Sequence, residues 1–375
     1  MRMMSFPLVA AALSHLACTG PASSDAARIV DSGAAADSLH VPPGFKVTVF
    51  AHVSGARVMT VGPDGALYVS QTGAGQIARL VDVNGDGVAD SQTVAVRGLD
   101  GPHGMAWRGN WLYIANTGAV VRVQIRNGKA VTTPEVLATY SGNGGHSTRS
   151  IVLGADSGMY ISIGSSCNLC VETSPDRAAV MRYDLDGKGG RVYSRGLRNA
   201  VGMAVHPVTR EIWVSQNERD NLPPNHEDLP PEEINILQDG GDYGWPYCYG
   251  DRIPNPEYHD QARCDRTLAP ALKMQAHSAP LGMTFLTNAT QFPAETRGDL
   301  LVAFHGSWNR DVPTGAKVVR IRVANNRPVS TEDFLWGFQR PNGSRWGRPA
   351  DVAVWKDGSV LVAEDLGGGI YRVSR

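Results

Sequence analysis

Hydrophobic and polar residues alternate along most of the chain in pairs of short segments joined by a polar turn. The pairs span residues 61–70, 105–115, 151–161, 203–214, 283–302 and 352–363. The turns contain Gly, Asp or Asn, and the period of two continues on both sides of each turn, which is typical of a β-hairpin. The pattern therefore predicts six β-hairpins, and no long segment with the 3.6-residue period of a helix interrupts them.

Six copies of one hairpin indicate an all-β protein built as a six-bladed β-propeller, because a blade cannot bury both of its faces alone and closing the ring hides the strand edges. The gaps widen after Gln216 and again after Trp245. We interpret these insertions as loops on one face rather than as extra blades. A β-sandwich and a lactonase-type propeller remain the alternatives.

Composition and charge exclude some classes of partner. The chain has 375 residues and a formal net charge of −1, with 42 Gly and 23 Pro that fit many tight turns. A neutral chain has no basic field to hold nucleic acid, so no nucleic-acid partner is expected.

The first residues are typical of an export signal. Arg2 precedes a mostly apolar run over residues 5–17, which is too short to span a bilayer, and Cys18 follows it. Cys18 is either the lipidated first residue of a lipoprotein or an incidental residue of a cleaved signal. We predict a leader and linker over 1–38, a propeller domain over 39–375, and a periplasmic or extracellular location. Any membrane contact would depend on a lipid anchor at Cys18.

The other four cysteines form two local pairs, Cys167 with Cys170 and Cys248 with Cys264. An even number of cysteines in an exported chain predicts two disulfides. A metal site at 167–170 would need two more ligands at similar spacing, and the sequence shows none.

The segment from residue 82 to residue 90 has oxygen-bearing side chains at alternate positions. They are Asp82, Asn84, Asp86 and, at its end, Asp90. This is the first part of a calcium-binding loop, without the glutamate that closes an EF-hand. The two interpretations are a reduced structural calcium loop and a polar turn without an ion.

Basic residues precede several of the hairpins at equivalent loop positions. A loop histidine has a pKa suited to a general base, and arginine binds planar anions through forked donors. Each of these residues alone is also typical of an exposed loop, but together they predict a central site for an anionic aromatic molecule. The candidates are His146, Arg198, Asn199, His277, Arg310 and Arg348, together with Asn217 and Glu218 in a long loop rich in oxygen ligands.

These motifs resemble the glucose/sorbosone dehydrogenase family, the soluble sugar dehydrogenases that use pyrroloquinoline quinone (PQQ). The resemblance runs from about residue 41 to the C-terminus and is strongest to the sorbosone-dehydrogenase-like branch. The motifs are GHSTR (145–149), LRNAVGM (197–203), EEIN (232–235), DYGWP (242–246), HSAPLGM (277–283), HGSWNR (305–310) and RPADV (348–352).

The resemblance implies a role for each candidate residue. His146 corresponds to the general base that removes the proton of the sugar C1 hydroxyl. Arg198 corresponds to the arginine beside the reactive quinone carbonyl, and Asn199 to a cofactor contact. The backbone carbonyls of Asn217 and Glu218 correspond to ligands of a calcium ion that polarises the quinone.

The resemblance also implies three further contacts with the cofactor. Arg348 corresponds to a residue that holds a PQQ carboxylate, and His277 and Arg310 lie near cofactor-contact positions. Ser165 replaces the aspartate that partners the catalytic histidine in the better-known glucose enzymes. The second cofactor-binding arginine of those enzymes aligns with Ala350. We predict that Arg310 takes the place of the lysine that contacts PQQ in them.

The resemblance predicts a PQQ- and calcium-dependent dehydrogenase for an aldose, a sorbosone-like sugar or an aldehyde, with a cytochrome or a quinone as electron acceptor. A calcium-dependent lactonase would instead need carboxylate and Asn side chains around a metal at the funnel centre. A propeller that only binds a glycan or a protein would show no turnover.

Overall fold

The computed structural model describes residues 36–142 and 144–375. The predicted leader features, the apolar run over 5–17 and Cys18, lie outside the described residues. Among the described residues, no helix combines the length and the apolar character that crossing a membrane requires.

Six antiparallel sheets of four principal strands each form the molecule. From the axis outward, blade 1 consists of Ala56–Val61, Leu67–Gln71, Gln76–Val81 and Ser91–Val96. Blade 2 consists of Met105–Arg108, Trp111–Ala115, Ala119–Arg126 and Glu135–Thr139, and Lys129–Ala130 pairs with its third strand. Blade 3 consists of Arg149–Leu153, Gly158–Ile163, Ala179–Asp184 and Arg191–Arg195, with Gly241–Asp242 at its outer edge.

The second half of the ring repeats the arrangement. Blade 4 consists of Ala200–Val205, Ile212–Gln216, Glu232–Ile236 and Leu272–Met274. Blade 5 consists of Pro280–Phe285, Leu300–Phe304, Lys317–Ala324 and Arg327–Leu335. Blade 6 consists of Pro349–Val354, Val360–Glu364, Gly369–Ser374 and Lys46–His52. The inner strands of neighbouring blades contact one another all the way around, so the six-bladed β-propeller is confirmed.

Each of the six predicted hairpins is the inner pair of strands of one blade. The segment between Gln216 and Pro280 adds no blade, as predicted, although it supplies the two outer strands of blade 4. It also contains the two-stranded ribbon Cys248–Tyr249 and Ile253–Pro254, and the short helix Gln261–Cys264. Short 3₁₀ turns occupy Thr72–Ala74, Leu286–Asn288 and Ala294–Thr296.

The ring closes through the N-terminal strand, which the hairpin pattern did not predict. Lys46–His52 runs antiparallel to Gly369–Ser374 and becomes the outermost strand of blade 6. Phe50 is fully buried beside Trp355, with ring centroids 5.2 Å apart, in a cluster shared by blades 6 and 1. Similar buried clusters fill each of the other blade interfaces, so the core is a ring of six interfaces.

Both predicted disulfides are present, Cys167–Cys170 and Cys248–Cys264. The second joins the two-stranded ribbon to the short helix. The first closes a four-residue loop that follows the second strand of blade 3.

Candidate active site

The antiparallel pairing within each blade brings the predicted residues to one face of the ring. Arg149 at the start of an inner strand lies opposite Ile163 at the end of the second strand, and Pro349 lies opposite Glu364. Loops that enter inner strands and loops that leave second strands therefore share one side, which we call the funnel face. The inner strands enclose a channel of about 480 Å³ along the axis.

His146 lies in the loop that enters blade 3, and its imidazole is held from one side. The Nδ1 atom lies 3.0 Å from the backbone oxygen of Ser165 and 3.0 Å from the Ser165 hydroxyl oxygen. That hydroxyl donates its own hydrogen to the carbonyl of Cys167 at 2.6 Å, so both Ser165 atoms act as acceptors toward the ring. The hydrogen of the neutral imidazole therefore sits on Nδ1, and Nε2, which makes no hydrogen bond to any described residue, keeps its lone pair.

The electrostatic surroundings of His146 favour its neutral form. Burial lowers its pKa to about 4, and the nearby Arg198 guanidinium lowers it in the same direction. The half-buried imidazole is therefore unprotonated at neutral pH, as a base must be before it accepts a proton. No carboxylate orients the ring among the described residues; Ser165 takes the place of the aspartate expected from the resemblance.

Gly164 allows the two sides of the site to approach each other. A Cβ atom at this position would lie 2.7 Å from the Cβ of His146 and 2.6 Å from the Asn199 side-chain oxygen. Any larger residue would therefore push His146 and Asn199 apart. Behind this contact, Ser165 donates its backbone N–H to the Arg198 carbonyl at 2.7 Å and so joins blades 3 and 4.

Two arginine side chains fix the backbone of the loop that carries His146. The fully buried Arg149 donates to the His146 carbonyl at 2.8 Å and to the Ser141 carbonyl at 2.8 Å. Arg177 donates to the His146 carbonyl at 3.3 Å and to the Gly164 carbonyl at 3.1 Å. These bonds hold the His146 loop to blade 3.

Arg198 is almost fully buried at the entry to blade 4, and every nitrogen of its guanidinium is engaged. Nη1 donates to the carbonyls of Asn217 at 3.2 Å and Glu218 at 2.8 Å. Nε and Nη2 donate to the backbone and side-chain oxygens of Asn168, at 3.1 and 3.0 Å. Asp220 lies 3.6 Å from Nη2 and compensates the charge.

The two carbonyls that sequence analysis assigned to calcium point at one positively charged group. Because Asn217 O and Glu218 O both accept from the same Arg198 nitrogen, they form a pair of hard oxygen ligands directed at a cation. The buried Glu218 carboxylate lies behind them, where Gln216 donates to it, and burial raises its pKa. Glu232 accepts from the Glu218 backbone N–H at 2.8 Å, and burial raises the Glu232 pKa to about 8.

His277 and Arg348 also lie on the funnel face. The buried His277 has Nε2 3.1 Å from the Leu229 carbonyl and Nδ1 3.8 Å from Asp220, which links it to the Arg198 side. Arg348 donates to the carbonyls of His305 at 3.1 Å and Gly306 at 3.0 Å. Arg348 forms no salt bridge with a described residue.

Arg345, which sequence analysis did not select, belongs to the same cationic group. It donates to the carbonyls of Ser307 at 2.6 Å and Thr314 at 3.1 Å and, like Arg348, has no carboxylate partner among the described residues. Arg348 lies close enough to lower the pKa of Arg345, which burial also lowers. Two adjacent guanidinium groups that form no salt bridge with a described carboxylate suit an anionic ligand. The spacing of Arg345 three residues before Arg348 was a signal that could have identified it.

A continuous set of contacts joins Arg348 to His146 around the funnel. His305 Nε2 lies 2.8 Å from Asp365, which also pairs with Arg57. Arg57 Nε donates to the buried His103 at 3.5 Å, and His103 Nδ1 lies 3.0 Å from the Arg149 carbonyl. The predicted convergence of His146, Arg198 and Arg348 on one face is therefore present in the structure.

Two carboxylates neutralise Arg310. It lies within 3.6 Å of both Glu227 and Asp228 and also donates to the Glu227 carbonyl. These contacts tie its loop to the segment between the second and third strands of blade 4. Its assignment as a cofactor contact stays a prediction.

The candidate calcium loop of blade 1 is held by its own hydrogen bonds. Asp82 accepts from the backbone N–H of Gly85 at 2.7 Å, and Asp90 accepts from that of Val83 at 2.6 Å. Asn84 donates to Asp86 at 3.0 Å. Calcium binding at Asp82, Asn84, Asp86 and Asp90 stays a prediction.

The chain matches the TrAA12-like family model over residues 39–375. A Borreliella burgdorferi protein described as uncharacterized is 31% identical over 356 residues, which cover 90% of each chain. The pyrroloquinoline quinone-dependent pyranose dehydrogenase of Coprinopsis cinerea is 27% identical over 411 residues; the match covers 90% of this chain but only 54% of that enzyme.

Among solved structures, the calcium structure of a Trichoderma reesei protein of family AA12 superposes with a TM-score of 0.78, at 22% identity, over 90% of this chain and 96% of that one. This likeness confirms the fold. The family predicted from the motifs is confirmed by the family model and the relatives together, and the chain belongs to the TrAA12-like family.

Proposed function

We propose that the protein is a PQQ- and calcium-dependent dehydrogenase that oxidises C1 of an aldose, a sorbosone-like sugar or a related aldehyde. The observation that carries the proposal is the convergence on one face of a neutral imidazole, His146, with the buried Arg198 and with Arg345 and Arg348, which form no salt bridge with a described residue. The relatives named for PQQ-dependent dehydrogenase activity support it.

The described residues of the site fit both PQQ and a calcium ion. PQQ carries several carboxylates, and Arg345 and Arg348 offer two adjacent guanidinium groups that form no salt bridge with a described residue. The carbonyls of Asn217 and Glu218 offer calcium two converging oxygen ligands. When bound, PQQ supplies the hydride acceptor and calcium polarises it.

His146 acts as the general base in this mechanism. Ser165 holds its Nδ1, so Nε2 accepts the proton of the C1 hydroxyl as hydride leaves the same carbon. An anionic ligand beside the imidazole also opposes the effect of Arg198 and moves the pKa of His146 back toward neutrality.

Arg198 supplies positive charge where negative charge develops during hydride transfer. Its guanidinium is already buried and oriented, so little reorganisation is needed in the transition state. Asn199, beside Gly164, lies between Arg198 and the base and is placed to contact the cofactor.

Reconstitution tests the proposal directly. Purified protein titrated with PQQ and calcium is expected to give a red-shifted quinone absorption and to reduce an artificial dye with members of a sugar and aldehyde panel. Absence of both signals at saturating PQQ and calcium would leave the non-catalytic binding propeller as the better interpretation. A lactonase is disfavoured, because the candidate residues on the funnel face are histidine and arginine side chains, which do not hold calcium.

Arg348→Ala is expected to weaken PQQ binding by about 10- to 100-fold, because a charged hydrogen-bond partner of the cofactor is lost. The turnover number at saturating PQQ should change far less. Quenching of tryptophan fluorescence during a PQQ titration measures the affinity. Arg322→Ala, on an exposed residue of blade 5, is the control. A fall in turnover with unchanged PQQ affinity would contradict this role for Arg348.

We further propose an exported location, periplasmic or extracellular, with a cytochrome or a quinone as electron acceptor. The two disulfides support an oxidising compartment. The leader and linker over 1–38 and lipidation of Cys18 stay predictions.

A further inference from the structure

Asn168 accepts two hydrogen bonds from one edge of the Arg198 guanidinium. Its backbone oxygen accepts from Nε and its side-chain oxygen from Nη2, so one residue binds two adjacent nitrogens of the same group. The same side chain spans to Asp220: Oδ1 accepts the Asp220 N–H at 2.8 Å, and Nδ2 donates to the Asp220 carbonyl at 3.0 Å. Asn168 therefore joins the arginine to the residue that compensates its charge.

The loop that carries Asn168 is held at both ends. The Cys167–Cys170 disulfide closes it, and Ser165 donates to the Cys167 carbonyl at 2.6 Å. Ser166 is fixed by Glu172, which accepts from its N–H at 2.6 Å and from its hydroxyl at 2.8 Å. A short closed loop loses little conformational freedom when it binds a side chain, so its contacts orient that side chain efficiently.

The same loop contacts both candidate catalytic residues. Its first residue, Ser165, holds the imidazole of His146, and Asn168 three positions later holds Arg198. Their relative position therefore depends on the geometry of residues 165–170.

Calcium at the Asn217 and Glu218 carbonyls would remove the other set of contacts of Arg198. These carbonyls accept from Nη1, and a calcium ion and a guanidinium nitrogen repel each other at the same oxygen atoms. The contacts of Arg198 that do not compete with calcium are those with Asn168 and Asp220.

We propose that Asn168, presented by the disulfide-closed loop 165–170, is the positioning residue that keeps Arg198 in its working orientation when calcium is bound. This inference rests on the proposed function, because the working orientation is defined toward the cofactor. Asn168 acts through Arg198 and has no chemical step of its own.

The test is a double-mutant cycle between Asn168→Ala and Arg198→Ala in PQQ- and calcium-loaded protein. Asn168→Ala alone is expected to lower the turnover number by about 10- to 100-fold, the range for a displaced catalytic group, with KM changed by no more than about twofold. It is also expected to move the absorption maximum of bound PQQ toward that of Arg198→Ala. In the Arg198→Ala background, Asn168→Ala should have almost no further effect on either quantity. Asn110→Ala, on the exposed turn between the inner strands of blade 2, is the control.

A second variant and a second measurement also test whether Asn168 positions Arg198. Replacing both Cys167 and Cys170 by Ala opens the loop but retains Asn168, and a smaller loss of turnover in the same direction is expected. In cofactor-free protein, NMR of the Arg198 Nη2 hydrogens, which donate to the Asn168 side chain, should show faster hydrogen exchange in Asn168→Ala than in wild type.

The outcomes distinguish a failure of the positioning role of Asn168 from a failure of the proposed function. If Asn168→Ala lowers turnover equally with and without Arg198, Asn168 does not act through the arginine and the inference is overturned. If wild-type protein never binds PQQ, the proposed function fails, and unchanged exchange of the Arg198 Nη2 hydrogens in Asn168→Ala would separately overturn the positioning role.

Discussion

His146→Ala is expected to lower the turnover number by about two to four orders of magnitude, the usual cost of losing a general base. The structure leaves Nε2 without a described partner while Ser165 occupies Nδ1, so Nε2 is the imidazole nitrogen that accepts the proton. PQQ affinity should be retained, because Arg345 and Arg348, which we assign to the PQQ carboxylates, lie on the other side of the funnel face. Stopped-flow measurement of the rate at which sugar reduces the bound cofactor separates the two quantities.

His52→Ala supplies the control for this experiment, because His52 is exposed at the end of the outermost strand of blade 6. Its turnover should equal that of wild type. An equal loss of PQQ affinity in His146→Ala and Arg348→Ala would contradict the division between base and cofactor ligand.

The fold could be predicted because the same hairpin recurs six times with a period of two. The strand that closes the ring could not be predicted in this way. Lys46–His52 has no hairpin partner next to it in the chain, and its partner, Gly369–Ser374, lies at the opposite end of the sequence. Closure is a long-range pairing, and a local alternation pattern carries no information about it.

The site was predicted well where the chemistry lies next to an inner strand and less well where it depends on distant partners. His146 and Arg198 could be located because each directly precedes a hairpin. The pairing of His305 with Asp365, 60 residues later, has no local signature. Asn168 carries no chemistry of its own and becomes significant only when its contacts with Arg198 are known.

Arg310 illustrates the limit of assigning charge from motifs. Its sequence neighbourhood suggested a substitute for a cofactor-binding lysine, but the loop between the second and third strands of blade 4 brings Glu227 and Asp228 to it. A guanidinium with two carboxylate neighbours attracts an anionic ligand less than Arg345 and Arg348, which have carbonyl acceptors instead.

Arg198→Ala is expected to lower the rate of hydride transfer by about 10²- to 10³-fold, the cost of removing one preorganised donor from a site of developing negative charge. Unlike His146→Ala, it should also change calcium binding by cofactor-free protein, because Arg198 donates to the Asn217 and Glu218 carbonyls that we assign to the ion. Removing a cation from those oxygens should strengthen their affinity for calcium. Competition between calcium and terbium, followed by terbium luminescence, measures this affinity.

Arg195→Ala is the matched control for this last experiment, since Arg195 is an exposed residue of the same segment that pairs with Asp242 on the outer edge of blade 3. Neither its rate nor its calcium affinity should change. A slower rate in Arg198→Ala with unchanged calcium affinity would place the calcium ion away from Asn217 and Glu218. An unchanged rate would show that the transition-state charge is stabilised elsewhere on the funnel face. The calcium titration needs no cofactor, and the rate measurement does not depend on which oxygens hold the ion. The two measurements on one variant therefore test the calcium ligands and the role of the arginine independently.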